Sequence, residues 1–147
     1  MKALVKILTL LTALSSLTAG AQQSHQFNDY TVHYNALNSS LISPGVAKTY
    51  NIRRSDSRAL VNIAVLKNIE NQLPMAVKAL VTVSARNLTG QNRQVKMREI
   101  IEGGDAIYYI GELSVRNMET FRFTVMVTPV GQGKAYELSF NQQFYTE

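Results

Sequence analysis

The chain has no cysteine and no tryptophan among its 147 residues, and only two histidines. Without cysteine there is no thiol nucleophile, no thiolate metal site and no disulfide, so the fold must rest on its hydrophobic core. The histidines, His25 and His33, are the only imidazoles available as a general base. No Gly-x-Ser-x-Gly turn is present, and no motif brings three groups together as a catalytic triad needs. The reading therefore leans away from an enzyme, with no catalytic residues assigned.

Long apolar runs are also scarce. The exception lies at the start, MKALVKILTLLTALSSLTAGAQQ. Lys2 and Lys6 give it a positive head, an apolar stretch runs from about Ile7 to Leu17, and small residues follow. Ala19-Gly20-Ala21 fits the cleavage pattern of a secretory signal peptide, with Gln22 as the first mature residue. The apolar stretch is shorter than the roughly 20 residues a spanning helix requires. Residues 1–21 are thus expected to be removed, leaving residues 22–147, 126 of the 147, as one exported domain with no membrane span. Loss of Lys2 and Lys6 takes Lys plus Arg from 15 to 13 against 10 acidic residues, a net charge of +3 instead of +5. That is not the basic stripe of a nucleic-acid binder.

What is present is alternation. Tyr30, Val32 and Tyr34 alternate with Thr31 and His33, the two-residue period of a half-buried strand. RALVNIAVLK is apolar almost throughout and reads as a strand covered on both faces. MAVKALVTVSARNL sets Val81 and Val83 against Thr82 and Ser84. RQVKMREII, IYYIGELSV, TFRFTVMVTP and KAYELSFNQQFYT follow as further strands. Gly103-Gly104 marks a hairpin tip. SPGVAKTY reads as one helical turn, with Ser43 as N-cap and Pro44 first in the helix. QQSHQFN reads as a frayed polar end. The pattern predicts an all-β fold, an immunoglobulin-like antiparallel β-sandwich of about seven strands, with a small β-barrel as the alternative. Ile63, Val81, Val83, Phe123 and Val125 are expected in the core.

Metal and cofactor signals are weak. Met75, Met97, Met118 and Met126 sit singly in separate segments, not grouped as soft copper ligands, and Met97 and Met126 fall in strand patterns and read as packing residues. Glu99, Glu102, Asp105 and Glu112 gather around the Gly103-Gly104 tip without calcium-loop spacing. No cofactor and no metal is assigned. The sharpest candidate is NIRRSDSR, where Arg53, Arg54 and Arg58 precede a buried strand beginning near Ala59. Arginine forks suit carboxylates and phosphates. Adjacent residues on an extended chain point opposite ways, so Arg53 and Arg54 share a ligand only if the segment turns. The competing reading is a solvated loop with local ion pairs, Asp56 neutralising one arginine. Tyr30, Tyr34, Tyr108 and Tyr109 are candidates for lining a pocket, although Tyr108 and Tyr109 must face opposite sides of a strand.

The stretches YTVHYNALNSSLISPGVAKTYNIRRSDSRALVNIAVL, ARNLTGQ, REIIEGGDAIYYIGEL, TFRFTVMVTP and FNQQFYTE together resemble a family of small exported bacterial proteins, the domain-of-unknown-function family 4426. The likeness runs over nearly the whole chain after residue 21. It implies a periplasmic protein of Gram-negative bacteria. It implies no activity and no site residues. The function expected is a non-catalytic protein-interaction or envelope accessory module. The alternative is a small-ligand or anion-binding carrier, or an enzyme, with a site assembled from loops.

Overall fold

In the computed structural model residues 23–147 are described; the expected signal segment 1–21 and its cleavage point lie outside them. The strands are β1 (Gln23–Phe27), β2 (Tyr30–Asn38), β3 (Arg58–Lys67), β4 (Met75–Ala76), β5 (Ala79–Asn87), β6 (Asn92–Val95), β7 (Arg98–Glu102), β8 (Ala106–Ser114), β9 (Glu119–Pro129) and β10 (Tyr136–Phe144). They form two antiparallel sheets. The larger has the order β1-β2-β3-β8-β7, with β4 attached to β3, and the smaller the order β10-β9-β5-β6. This is a two-sheet β-sandwich, not one closed barrel.

The sandwich follows from alternation. Val32, Val61, Ile63, Val65, Val83, Phe123 and Val125 are fully or almost fully buried between the sheets, and Val81 is 8% exposed. Aromatic rings tie the two layers together. Phe123 stacks on Phe140 with ring centroids 5.0 Å apart, and Tyr34 of the larger sheet meets Phe140 of the smaller at 4.7 Å. Such pairs contribute about 0.5–1.5 kcal/mol beyond the area they bury.

The strand count exceeds the seven or so expected from spacing, for three local reasons. QSHQF is not frayed: Asn28 takes φ 48°, a two-residue turn forms, and β1 folds back on β2 with Phe27 opposite Tyr30. Asparagine tolerates that left-handed conformation better than most residues. The stretch from Met75 divides into β4 and β5. The stretch from Arg93 also divides: β6 pairs with β5 in the smaller sheet, and β7 pairs with β8 in the larger. The chain changes sheets between Val95 and Arg98. At the Gly103-Gly104 tip both glycines have positive φ, 62° and 82°, as the β7–β8 hairpin requires.

Between β2 and β3 the chain forms a strap. It contains a 3₁₀ turn, Ser39–Leu41, and a short helix α1, Pro44–Thr49. Ser43 caps α1, its hydroxyl accepting from Val46 N, and Pro44 opens it. The strap lies on the outer face of the larger sheet. Ile42, Ala47 and Ile52 pack there on Leu60, Ala106, Tyr108 and Ile110, a second apolar cluster beside the main core. This explains why β3 is apolar almost throughout: Val61, Ile63 and Val65 face the other sheet while Leu60 faces the strap. None of the described helices is long and apolar enough to cross a membrane.

Candidate functional site

The three arginines of NIRRSDSR reach the strapped face by different routes. Residues 51–57 form an irregular link, and β3 begins at Arg58. Arg54 folds its guanidinium back on the strap, Nε donating to Ile42 O at 2.7 Å and Nη2 to Ser40 O at 2.9 Å. Arg58 Nε lies 3.5 Å from Glu112 Oε1, an ion pair whose side chains are 29% and 20% exposed. Glu112 Oε1 also accepts from the backbone N of Arg53 at 3.3 Å. The Arg53 side chain has no polar partner among the described residues. Asp56, expected to neutralise an arginine, makes no ion pair among the described residues; the neutralising carboxylate is Glu112, distant in sequence. Arg53 and Arg54 are both exposed and Arg58 half-buried, and of the three guanidinium groups the one without a polar partner among the described residues is that of Arg53. Ser39 is completely buried at the centre of the link, its hydroxyl donating to Arg53 O at 2.7 Å and accepting from Ser55 N at 3.0 Å.

Beneath the strap is an apolar cavity of about 30 Å³. Tyr50, Asn62, Ile100 and Tyr108 are among its walls. The volume suits one water and no larger molecule. Around it the outer face carries polar atoms that are buried without a hydrogen-bond partner among the described residues: His33 Nδ1, Asn35 Oδ1, Asn62 Oδ1 and Glu102 Oε2. Asn35 and Asn62 stand directly opposite each other on β2 and β3, and His33 is opposite the small Ala64. Buried polar atoms usually have partners, so these four leave hydrogen-bonding capacity unmet on this face. Burial lowers the His33 pKa from its ordinary 6.5, which favours the neutral ring. Burial, and then the Glu102 carboxylate nearby, push the Tyr50 phenol up to about 12. The same two causes, in the same order, raise Tyr108. A neutral imidazole, two amides and two un-ionised phenols can bind through hydrogen bonds. His25, for its part, packs against Phe27 on β1, ring centroids 4.4 Å apart.

Sequence reasoning missed Asn35 and Asn62, and it grouped Glu102 with the carboxylates of the hairpin tip instead of with this face. Asn62 did leave a signal, as the one polar residue inside the apolar run ALVNIAVL. Tyr108 and Tyr109 do face opposite sides: Tyr108 joins the cluster under the strap and Tyr109 the inter-sheet core. The Tyr109 hydroxyl donates to Glu99 Oε2 at 3.0 Å and accepts from Ala79 N at 2.8 Å, so it joins β8 to β7 and to the first residue of β5. Tyr30 and Tyr34 also pack against the inter-sheet core. The four tyrosines therefore do not converge on one pocket. Met97 packs against the core, whereas Met75 and Met118 are exposed. No group of three His, Asp or Glu stands together as a metal site among the described residues.

A second concavity lies at one end of the sandwich. It is an open depression of about 540 Å³ between the β5–β6 and β8–β9 turns, with Leu88, Arg116 and Met118 on its rim. Glu119 holds the base of the β8–β9 turn, accepting from Arg116 N at 2.8 Å and from Asn87 Nδ2 at 3.1 Å.

Residues 24–147, the whole sandwich but for the first residue of β1, match the family described as Domain of unknown function (DUF4426). The chain belongs to the DUF4426 family. A crystal structure of a DUF4426 family protein from Pseudomonas aeruginosa PAO1 is similar at 32% identity and TM-score 0.73, over 88% of this chain and 99% of that one. The DUF4426 sandwich is therefore shared with a bacterial relative along almost its full length. A GAE domain of yeast GGA1 is similar at 11% identity and TM-score 0.33, covering 84% of this chain and 98% of that one, a likeness that supports no argument. No protein of curated function matches the chain.

Proposed function

We propose that this DUF4426 protein is an exported periplasmic module that works by contact with another envelope protein, without catalysis. The observation that carries the reading is β10. It is nine residues long, stands at the end of the smaller sheet, and has no strand on its outer side among the described residues. Its sequence, YELSFNQQF, contains no proline and no lysine, and Glu137 is its one charge. Edge strands left this long and this bare template the addition of another strand, so proteins normally guard them with charges, prolines or bulges. The opposite edge of the larger sheet is guarded in that way: β7 reads REIIE, with Arg98, Glu99 and Glu102 in five residues. An extended segment of a partner would hydrogen-bond along β10 and place alternate side chains over the sheet. Export rests on the signal-like start, Lys2 through Ala21.

A photo-crosslinking residue at Glu137 or Ser139, compared with one at Glu99 on β7, tests the reading in cells. A discrete protein adduct from β10 and none from β7 is the expected outcome. Equal labelling from both edges, or none, overturns the strand-addition reading. N-terminal sequencing of the periplasmic fraction checks export separately, with Gln22 expected as the first residue. Retention of residues 1–21 in a cytoplasmic product would remove that half of the proposal.

A small-ligand carrier is the second reading, and the open depression of about 540 Å³ favours it. Ligand pockets typically enclose about 300–1,000 Å³ and bury most of the ligand. The volume is sufficient; the enclosure is not, because the depression opens between two turns.

A further inference from the structure

The outer face of the smaller sheet holds two arginines in an unusual relation. Arg86 on β5 and Arg122 on β9 stand directly opposite each other in the strand register. Both are exposed. Neither takes part in an ion pair, the pairs among the described residues being Arg58–Glu112 and Lys78–Glu99. All ten acidic residues of the chain lie within the described residues, so no carboxylate elsewhere in it is left to neutralise them. Neither guanidinium has a hydrogen-bond partner there either. In this they differ from Arg54, Arg93 and Arg98, whose guanidinium groups donate to backbone carbonyls.

The surroundings supply more donors. Across the four strands the row reads Asn141, Arg122, Arg86, Asn92. One step along the strands on the same face, Thr124 and Ser84 are opposite each other. Like charges directly opposite on a sheet are destabilising, and a chain selected for stability alone would place a carboxylate at one of the two positions. The unneutralised charge and the neighbouring donors both suit a bound oxyanion.

We propose that this row is a binding site for a phosphate group, held by the two arginine forks and flanked by the amides of Asn92 and Asn141. The backbones of Arg86 and Arg122 are about one strand spacing apart, ~4.8 Å; the Arg86 guanidinium lies beside Gly90, and two side chains of this length can swing together to share the oxygens of one tetrahedral anion through charge-assisted hydrogen bonds. The hydroxyls of Ser84 and Thr124 lie where the body of a phosphorylated saccharide would rest. Inorganic phosphate and a sugar phosphate offer the same anionic group and separate the two sources.

The experiment is an NMR titration of the full folded chain, following the Arg Nε–Hε signals and the β5 and β9 amides, with inorganic phosphate, glucose 1-phosphate, glucose and sodium chloride. Saturable shifts centred on Arg86 and Arg122 are expected with both phosphates and not with glucose or chloride. Tighter binding of glucose 1-phosphate assigns the site to a phosphorylated saccharide; equal binding assigns it to free phosphate. Arg86→Gln and Arg122→Gln should each weaken binding at least roughly tenfold, as the loss of one charge-assisted hydrogen bond does. Arg53→Gln should leave it unchanged. Arg122→Lys keeps the charge and loses the fork, and should bind more weakly than wild type. A urea midpoint at or above wild type in the two Gln variants shows that they remain folded. Shifts that fail to saturate, that chloride reproduces, or that survive in the double Gln variant overturn the proposal. The variants lie outside the Glu137–Ser139 probes of β10, so this test and the strand-addition test fail independently.

Discussion

Ser39 shows how much one small side chain can hold. It is the single polar residue among those described that is fully buried, and its hydroxyl joins the strap to the link that carries the arginines. Ser39→Ala would leave Arg53 O and Ser55 N without that partner where the strap part-buries them. A buried group stripped of its partner costs about 1–3 kcal/mol, so the urea midpoint should fall by a corresponding amount; an unchanged midpoint would mean that the link rearranges freely. The arginine cluster was legible as a cluster because its members are neighbours in sequence. Their separate fates were not, because Ile42 O, Ser40 O and Glu112 come from other segments. For the same reason Arg86 and Arg122, far apart along the chain, stand together only through strand register, which no local pattern reveals.

At the level of elements, alternation carried most of the fold into view. Val81 and Val83 on β5, and Phe123 and Val125 on β9, could be placed in the core from the two-residue period, and they are there. The division between β6 and β7 could not. Val95, Met97 and Arg98 keep the period of an unbroken strand, yet the chain leaves one sheet for the other at that point. Gly111 on β8 explains how it fits. A β-carbon there would stand 2.6 Å from Met97 Sδ, 2.6 Å from Val95 Cγ1 and 2.9 Å from Lys96 O. The crossing lies directly on β8, and only a residue without a side chain leaves room. Gly111→Ala should therefore destabilise the fold by on the order of 1–3 kcal/mol, as over-packing in a core does. Denaturant unfolding measures it. Met97→Ala in the same background should recover part of the loss, since it removes one of the atoms in the way; a lack of recovery would place the strain on Val95 Cγ1 and the Lys96 carbonyl.

The whole molecule is a sandwich with a third, partial layer, and its stability should be graded accordingly. The inter-sheet core is continuous and draws on both sheets, with Phe121, Phe123, Val125 and Phe144 almost fully enclosed. The strap rests on a smaller cluster of Ile42, Ala47 and Ile52, assisted by the Arg54 fork and by Arg98 donating to Tyr50 O and Asn51 O. It covers Asn62, whose Oδ1 is buried without a partner among the described residues. When the strap lifts, water can reach that atom, and its hydration offsets part of the cost of exposing the apolar cluster. Regions with little buried apolar surface open at lower free energy than the global transition. Native-state hydrogen exchange should therefore find the amides of Ala47 and Ile52, which donate to Ser43 O and Ala47 O within the strap, less protected than those of Phe123 and Val125. Ile52→Ala sharpens the test. Truncating a buried isoleucine costs roughly 2–5 kcal/mol, and if the strap is a separate unit that loss appears in the protection of Ala47 while Val125 keeps its own. Equal loss at both positions would mean that strap and sandwich unfold as one. The independent strap is the expected result, because its anchors are few and its cavity of about 30 Å³ leaves part of the space under α1 unfilled.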